Sequence, residues 1–381
     1  MSPYRGIGDH TPHFVRIPTL RVWKSSARNQ DTLAVKGTAN AMGGGISGGL
    51  GVRRARRAKS VEWPTVLVAV ALYGAFALLT WFHDSLPWWL LLPLGAYVVC
   101  LQGSLQHEAL HGHPTAWPTL NEALVLPNLW LWMPFRTYRR LHLTHHRDRH
   151  LTDPLEDPES FYVTAERWRR LGRLERGFLW LHNTVAGRLL LGPLFSVVSF
   201  AAAEISRLRR RDPELITDWL PHIAGVALVL GWALWICDMP LVEYLAFFAF
   251  PGLSLTLLRS FLEHQARDTL GERTVLIEAG PVFSLLFFNN NLHALHHAEP
   301  GLAWYALPAR YRERRNELLA KNGHYRFSGY AEVIARYLLW PKEPPVHPAT
   351  AEGAALLLDH HGRASGAPLT ERHAFAPQKL P

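Results

Sequence analysis

Histidines occur in this sequence at spacings that suit metal binding. His107 and His111 lie four residues apart in HEALH (box one), and LHLTHH (box two) and LHALHH (box three) each contain H-x-x-H-H. On a helix, residues three and four positions apart share a face, so each box can direct its imidazoles to one point. With His264, which directly follows an apolar block, the predicted metal ligands are His107, His111, His142, His145, His146, His264, His293, His296 and His297.

Box one also fits H-E-x-x-H, the pattern in which two histidines hold zinc and a glutamate, here Glu108, activates water. A zinc metalloprotease would leave boxes two and three without a role, so we keep it as a distant alternative. Nine histidines exceed one zinc site, which uses three or four protein ligands. Imidazole also suits iron, and nine ligands match two ions with about four or five each. Two adjacent irons can reduce O2 and attack an unactivated C–H bond.

Neutral imidazoles need hydrogen-bond acceptors that fix their orientation when they bind metal. We expect these acceptors among the acidic residues close to the boxes in sequence. His113 and His150 adjoin boxes one and two and are further candidates for direct ligation. The acidic candidates are Glu108, Asp148, Asp153, Asp157, Glu263 and Glu299.

The composition indicates a membrane protein. Of the 381 residues, 48% are hydrophobic and only 19% are charged, and the apolar residues collect in long blocks. Cys100 and Cys237 lie inside such blocks, so they predict no disulfide framework. The net charge of +9 comes from basic residues that flank the apolar blocks, as in membrane proteins, and not from a nucleic-acid motif. We therefore predict no nucleic-acid partner.

Four apolar blocks are long enough to cross a bilayer. They form two hairpins with very short connecting turns. Residues 121–135 are interrupted by Pro127 and Pro134 and predict a re-entrant or interfacial segment. Residues 178–203 predict a helix in the membrane interface, with an additional span as the alternative. The predicted spans are about 65–82, 86–105, 219–237 and 241–262.

The charge distribution predicts the orientation. Neither short turn contains Lys or Arg, so both hairpins should begin and end in the cytoplasm, together with both termini and all nine histidines. The chain is thus predicted as an all-α integral membrane protein with a histidine-rich di-metal site at its cytoplasmic face. We divide it into a disordered basic arm (residues 1–58), a membrane domain (59–340) and a loose tail (341–381).

The three boxes, in this order and with a hairpin of spans between the second and the third, resemble those of the integral membrane fatty acid desaturase superfamily. The resemblance covers roughly residues 60–310. The stretches LTDPLEDPE and NNNLHALHHAEPGLAWY resemble a bacterial desaturase-like subgroup. A bacterial inner membrane is the location that this resemblance implies.

The resemblance implies a non-haem di-iron oxidase with a cytoplasmic helical cap on four spanning helices. The histidines of each box match those of the family, and His264 resembles an additional histidine that some members use. Ser260 stands where some acyl-CoA desaturases have an asparagine that holds a metal-bound water. The sequence has no HPGG stretch typical of a fused cytochrome b5, so we expect a separate ferredoxin-type donor with its reductase.

The boxes do not separate the reactions of the superfamily, which also contains alkane hydroxylases and carotenoid ketolases. Desaturation and hydroxylation share the first hydrogen abstraction, and the outcome depends on substrate placement to within about an ångström. We expect an O2-dependent desaturase that acts on the acyl chain of a lipid or related amphiphile. A sibling hydroxylase or ketolase, acting on an alkyl chain or a carotenoid, is the alternative.

Overall fold

The computed structural model describes residues 61–147 and 150–348 of the chain. The predicted arm over residues 1–58, the tail from residue 349 onward and Asp148 lie outside the described residues. The described residues are mostly helical, as the sequence predicts.

The first hairpin consists of α1 (Trp63–Trp81) and α2 (Trp88–Leu110). Pro64 suits the first turn of α1, because the N–H that proline lacks has no partner in that turn anyway. α2 continues past the predicted end at residue 105, because its last turn is polar and buried inside the protein. This extension places His107 on the helix itself.

The second hairpin consists of two long helices that each contain a π-helical segment. Their bounds agree with the predicted spans, except that the first begins earlier, in polar residues that a hydropathy pattern does not include. The elements are α8 (Glu214–Leu230) with its π-helical continuation Gly231–Ile236, then α9 (Leu241–Tyr244), a π-helical segment Leu245–Ala249 and α10 (Phe250–Glu263).

The two hairpins are aligned, with both turns together at one end. His83 in the first turn has Nδ1 3.0 Å from Oε1 of Glu243 and Nε2 3.1 Å from the carbonyl oxygen of Cys237. At the opposite end, Glu62 before α1 lies 2.7 Å from His113 after α2. We call these the turn end and the histidine end.

Among the described residues, five helices are long and apolar enough to cross a membrane. The helix that the two hairpins do not include is α7 (Val185–Arg209). It lies in the region where the sequence predicts an interfacial helix over residues 178–203. Length and composition alone do not distinguish these two placements. The count of four spans therefore stays a prediction.

Both ends of α7 are attached at the histidine end of the molecule. Just before α7, the carbonyl of Asn183 accepts a hydrogen bond from the backbone N–H of Lys342 (2.8 Å). The Nζ of Lys342 in turn donates a hydrogen bond to the carbonyl of His264 (2.6 Å). In its last turn, Arg207 donates to Asp218 near the start of α8 (2.9 Å). α7 therefore does not connect the histidine end to the turn end.

The segment 125–134 has no regular structure and passes between the spanning helices. The hydroxyl of Tyr244 donates a hydrogen bond to the carbonyl oxygen of Leu129 (2.7 Å). Nε2 of His222 lies 3.2 Å from the carbonyl oxygen of Leu131. Irregular backbone at membrane depth is tolerated where protein groups satisfy its carbonyls. The re-entrant or interfacial placement of residues 121–135 relative to the bilayer stays a prediction.

The remaining elements gather at the histidine end. They include two short parallel strands, in which Leu276 is paired with Arg326 and Ile277 with Phe327. The elements are α3 (Pro118–Leu124), α4 (Phe135–Arg147), α5 (Ala165–Arg170), α6 (Arg173–His182), β1 (Leu276–Ile277), α11 (Pro281–Leu286), α12 (His293–Ala298), α13 (Leu307–Lys321), β2 (Arg326–Phe327) and α14 (Tyr330–Tyr337).

Candidate metal centre

Box one lies where α2 ends. His107 is in the last turn of the helix and His111 directly follows it. The Nε2 atoms of both rings are buried and have no hydrogen-bond partner within the described part of the chain. Buried polar atoms in proteins are normally paired. These two nitrogens are therefore well suited to bind a metal ion.

Box two lies on α4, and carboxylates from the following loop orient two of its rings. Nδ1 of His142 lies 2.8 Å from Oε1 of Glu159, and Nδ1 of His145 lies 2.8 Å from Oδ1 of Asp157. An ionised carboxylate can only accept, so Nδ1 of each ring is the donor. The Nε2 lone pair of each ring is then directed inward, as a metal ligand requires.

Box three lies on α12, and His264 directly follows α10. Nδ1 of His293 lies 3.2 Å from Oδ1 of Asn290. The amide of Asn290 in turn donates to Glu263 (3.0 Å), and Glu263 also pairs with Arg259 (2.9 Å). The orientation of the His293 ring thus depends on a buried polar chain that reaches back into α10.

The structure brings all nine predicted histidines together in two groups. Within each group, one ligand nitrogen per residue lies within 4.8 Å of the others. Boxes two and three contribute to both groups. The five-histidine group contains His107, His111, His142, His146 and His296, and the four-histidine group contains His145, His264, His293 and His297.

The spacing of the nitrogens fits metal coordination. Nε2 of His146 lies 3.0 Å from Nε2 of both His142 and His296, and Nε2 of His264 lies 3.0 Å from that of His145 and of His293. With metal–nitrogen bonds of about 2.1 Å, two ligands at a right angle are about 3.0 Å apart. Imidazole nitrogens with exposed lone pairs repel each other at this distance unless a cation or a proton lies between them. The donor set therefore fits one metal ion in each group.

Burial keeps several of these imidazoles neutral. Desolvation by burial is the largest cause and electrostatic repulsion from His142 the second. Together they lower the pKa of His111 to about 2 and the pKa of His146 to about 3. Desolvation is also the main cause that lowers the pKa values of His264, His293, His296 and His297 well below the ordinary range. Neutral rings keep a lone pair for a metal ion at physiological pH.

His145 behaves differently because carboxylates surround it. Burial lowers its pKa, but the nearby Glu159 and Asp157 outweigh this effect and raise the pKa to about 9. Burial would raise the pKa of Glu159, but His142 and His145 together hold it far below its usual range. A metal ion bound at His145 must therefore displace a proton, and its affinity should rise with pH.

Glu159→Gln is expected to weaken metal binding about 10–100-fold, because the neutral amide holds the His142 ring less firmly than the carboxylate does. The measurement is the metal content per chain after dialysis against a graded series of chelator concentrations. The matched control is Glu166→Gln, which removes the charge of an exposed carboxylate paired with Arg170. Equal retention of metal by Glu159→Gln and the control would contradict this role.

The other predicted candidates lie outside the two groups. His113 forms a separate buried cluster with Glu62 and Glu108, in which its Nδ1 lies 2.7 Å from Glu62 and 3.9 Å from Glu108. Oε1 of Glu108 also accepts the backbone N–H of Trp304 (2.9 Å). His150 is exposed.

The acidic candidates differ in what they contact. Asp157 and Glu263 lie against histidines, at 2.8 Å from His145 and 3.5 Å from His293. Asp153 instead accepts backbone N–H groups of the turn that it begins, and Glu299 pairs with arginines of α13. Glu159 and Asn290 are not among the residues predicted from the sequence. The acidic loop that follows box two could have pointed to Glu159, whereas no simple pattern identifies Asn290.

The comparison with known protein families identifies one family for this chain. The model of the family described as fatty acid desaturase matches residues 84–329. The matched region contains all nine histidines and begins after α1. No curated protein matches the chain.

Proposed function

Because the chain belongs to the fatty acid desaturase family, we propose that it is an O2-dependent membrane di-iron oxidase that introduces a double bond into the acyl chain of a lipid or related amphiphile. The observation that carries this proposal is the pair of histidine groups at the histidine end of the membrane helices. Imidazole ligands suit iron, and a pair of irons, when bound, supplies the reduction of O2 and the attack on a C–H bond.

In this proposal the nine histidines hold the two irons, and neighbouring groups keep the ligands in place. Glu159 and Asp157 accept hydrogen bonds from the outer nitrogens of His142 and His145, which directs the inner nitrogens toward the metals. Tyr138 packs 5.7 Å from the His142 ring, between ring centres, and helps to exclude water from the site. Exclusion of water protects a reactive site from side reactions.

We further propose four spanning helices, with α7 lying along the cytoplasmic side and the remaining elements forming a cap around the metals. The attachment of both ends of α7 at the histidine end supports this arrangement. The basic residues near the histidine end support a cytoplasmic orientation of both termini, in a bacterial inner membrane. The electrons would come from a separate ferredoxin-type donor with its reductase.

The test is expression of the full chain in a bacterial host that lacks desaturases, with analysis of the metal content and the lipids. We expect about two irons per purified chain and lipid acyl chains that have lost two hydrogens. The control is the His297→Ala variant, which should leave the lipids unchanged. One zinc per chain without iron, or unchanged acyl chains in the presence of a matching electron donor, would overturn the proposal.

The same experiment distinguishes the alternatives. Oxygen-18 from O2 in the product would indicate a hydroxylase or ketolase with the same metal site. A zinc metalloprotease would use only His107, Glu108 and His111, so its activity would survive His297→Ala. The five-histidine group, in which His107 and His111 lie with three further imidazoles, favours the di-iron oxidase over the protease.

A further inference from the structure

The ring of His264 is held differently from the rings of other metal ligands. Nδ1 of His142, His145 and His293 each lies next to a carboxylate or amide oxygen. Nδ1 of His264 is buried and has no hydrogen-bond partner within the described part of the chain, while its Nε2 faces the four-histidine group. Histidines that bind metal almost always donate their other ring N–H to an acceptor. The position of the His264 ring therefore depends on how its backbone is held.

The backbone on both sides of His264 is fixed by side chains from distant parts of the sequence. Nζ of Lys342 donates to the carbonyl oxygen of His264 (2.6 Å), and the hydroxyl oxygen of Tyr162 accepts from the backbone N–H of Ala266 (2.9 Å). The hydroxyl of Tyr162 in turn donates to the carboxylate of Glu343, which also pairs with Lys342 (2.7 Å). These contacts form a closed circuit around the backbone that carries the ring.

The ammonium and the carboxylate of this circuit belong to residues 341–347 (PKEPPVH), which we call the strap. Two backbone hydrogen bonds fix the strap against the loop that follows box two. The N–H of Val163 donates to the carbonyl of Pro345 (2.9 Å), and the N–H of His347 donates to the carbonyl of Val163 (3.0 Å). These bonds keep the strap in one register, so that its lysine reaches the carbonyl of His264.

The strap also contacts the groups that support His145. Nε2 of His347 lies 3.1 Å from Oγ1 of Thr152, and the N–H of Thr152 donates to the carboxylate of Asp157 (2.7 Å). Asp157 is the carboxylate that orients the His145 ring. His145 and His264 both belong to the four-histidine group. The strap therefore supports two of the four ligands of one ion.

We propose that the strap is part of the metal centre and that Lys342 is a positioning residue, which holds His264 through its backbone carbonyl. The family match ends at residue 329, before the strap begins. The proposal rests on the proposed function for the identity of the ions. The strap should act on the ion of the four-histidine group, because its contacts lead to His264 and to the support of His145.

The test compares two variants of the full chain that differ only at Lys342. The double variant Lys342→Met, Glu343→Gln removes both charges of the buried pair, and Glu343→Gln alone is the matched control. The double variant should retain one ion about 10–100-fold less well than the control, as loss of a group that orients a ligand does. The other ion should stay bound. The measurements are the metal content per chain after dialysis against graded chelator concentrations and the midpoint of thermal unfolding of the metal-free protein.

Two further variants identify the ion that is affected. Tyr162→Phe keeps the ring and removes the hydroxyl that holds the N–H of Ala266, so it should weaken retention of the same ion. Adding the double change to His297→Ala, which should already lack that ion, should cause no further loss of metal. Non-additivity of this kind is expected when two changes act on one site.

The outcomes separate this inference from the proposed function. Equal retention by the double variant and its control, in a parent that binds two ions, would overturn the role of Lys342. Loss of both ions, or a lower unfolding midpoint of the metal-free double variant, would overturn it as well, because the strap would then stabilise the whole fold rather than one ligand. A parent that binds fewer than two ions would contradict the proposed function and this inference with it.

Discussion

Replacing His297 by alanine is expected to lower the metal content from about two ions per chain to about one, with complete loss of activity. His297 is one of only four histidines in its group, so its removal leaves that ion with three imidazoles. The five-histidine group loses no ligand and should keep its ion. Activity should still disappear, because the proposed reduction of O2 uses both metals. The measurement is metal per chain by mass spectrometry, with product analysis on the same sample.

His111→Ala is the complementary variant, because His111 belongs to the five-histidine group. This variant should lower the occupancy of the ion in the five-histidine group and leave the ion in the four-histidine group bound. His182→Ala serves as the control, since His182 is a buried histidine outside both groups. Loss of both ions in each of the two ligand variants would contradict the assignment of two separate groups.

The sequence predicted which nine histidines lie together, whereas it did not predict how they divide into two groups. Helical spacing predicted that the imidazoles of each box point to one place, because residues three and four apart share a face. This is correct for box one and wrong for boxes two and three, which are each divided between the two groups. Helical spacing could not show that α4 lies between two metals, so that His142 and His146 join one group while His145 joins the other. That division depends on how α4 is rotated against α2, α10 and α12, which is a property of tertiary packing.

The groups that orient the histidines were predicted less well. Asp157 and Glu263 lie against histidines as expected, but Asp153 instead stabilises its own turn. Short acidic side chains readily bond to backbone N–H groups nearby, and this local alternative competes with a distant imidazole. Proximity in sequence therefore restricts the candidates without selecting among them.

The bounds of the four apolar helices were predicted within about one or two turns, since the bilayer dictates the length of an apolar block. The ends differ where polar residues continue a helix inside the protein, as at Glu108 in α2 and Glu214 in α8. The placement of α7 cannot follow from hydropathy, because an interfacial helix and a spanning helix can have the same apolar content. Its contacts at both ends support the placement along the cytoplasmic side that we propose.

Gly225→Ala is expected to destabilise the protein and to lower its metal content, although alanine favours helices. A Cβ on Gly225 in α8 would lie 1.9 Å from the carbonyl oxygen of Leu126, so either α8 or the segment 125–134 must move. Overpacking of this kind costs about 1–3 kcal/mol. Because this segment leads directly into α4, its displacement should disturb His142 and the ion that it holds. The measurements are the midpoint of thermal unfolding and the metal content per chain.

Gly74→Ala is the matched control, because it makes the same change in another membrane helix where no atom lies within 4 Å of the new Cβ. Without a contact to relieve, its effect should be neutral or stabilising by up to about 1 kcal/mol, through helix propensity alone. The two variants should therefore shift the midpoint in opposite directions, and only Gly225→Ala should lose metal. If Gly225→Ala kept both its midpoint and its metal, the segment 125–134 would not be the element that positions box two. The rigidity of the metal centre would then have to come from the contacts of α4 with the loop that carries Asp157 and Glu159.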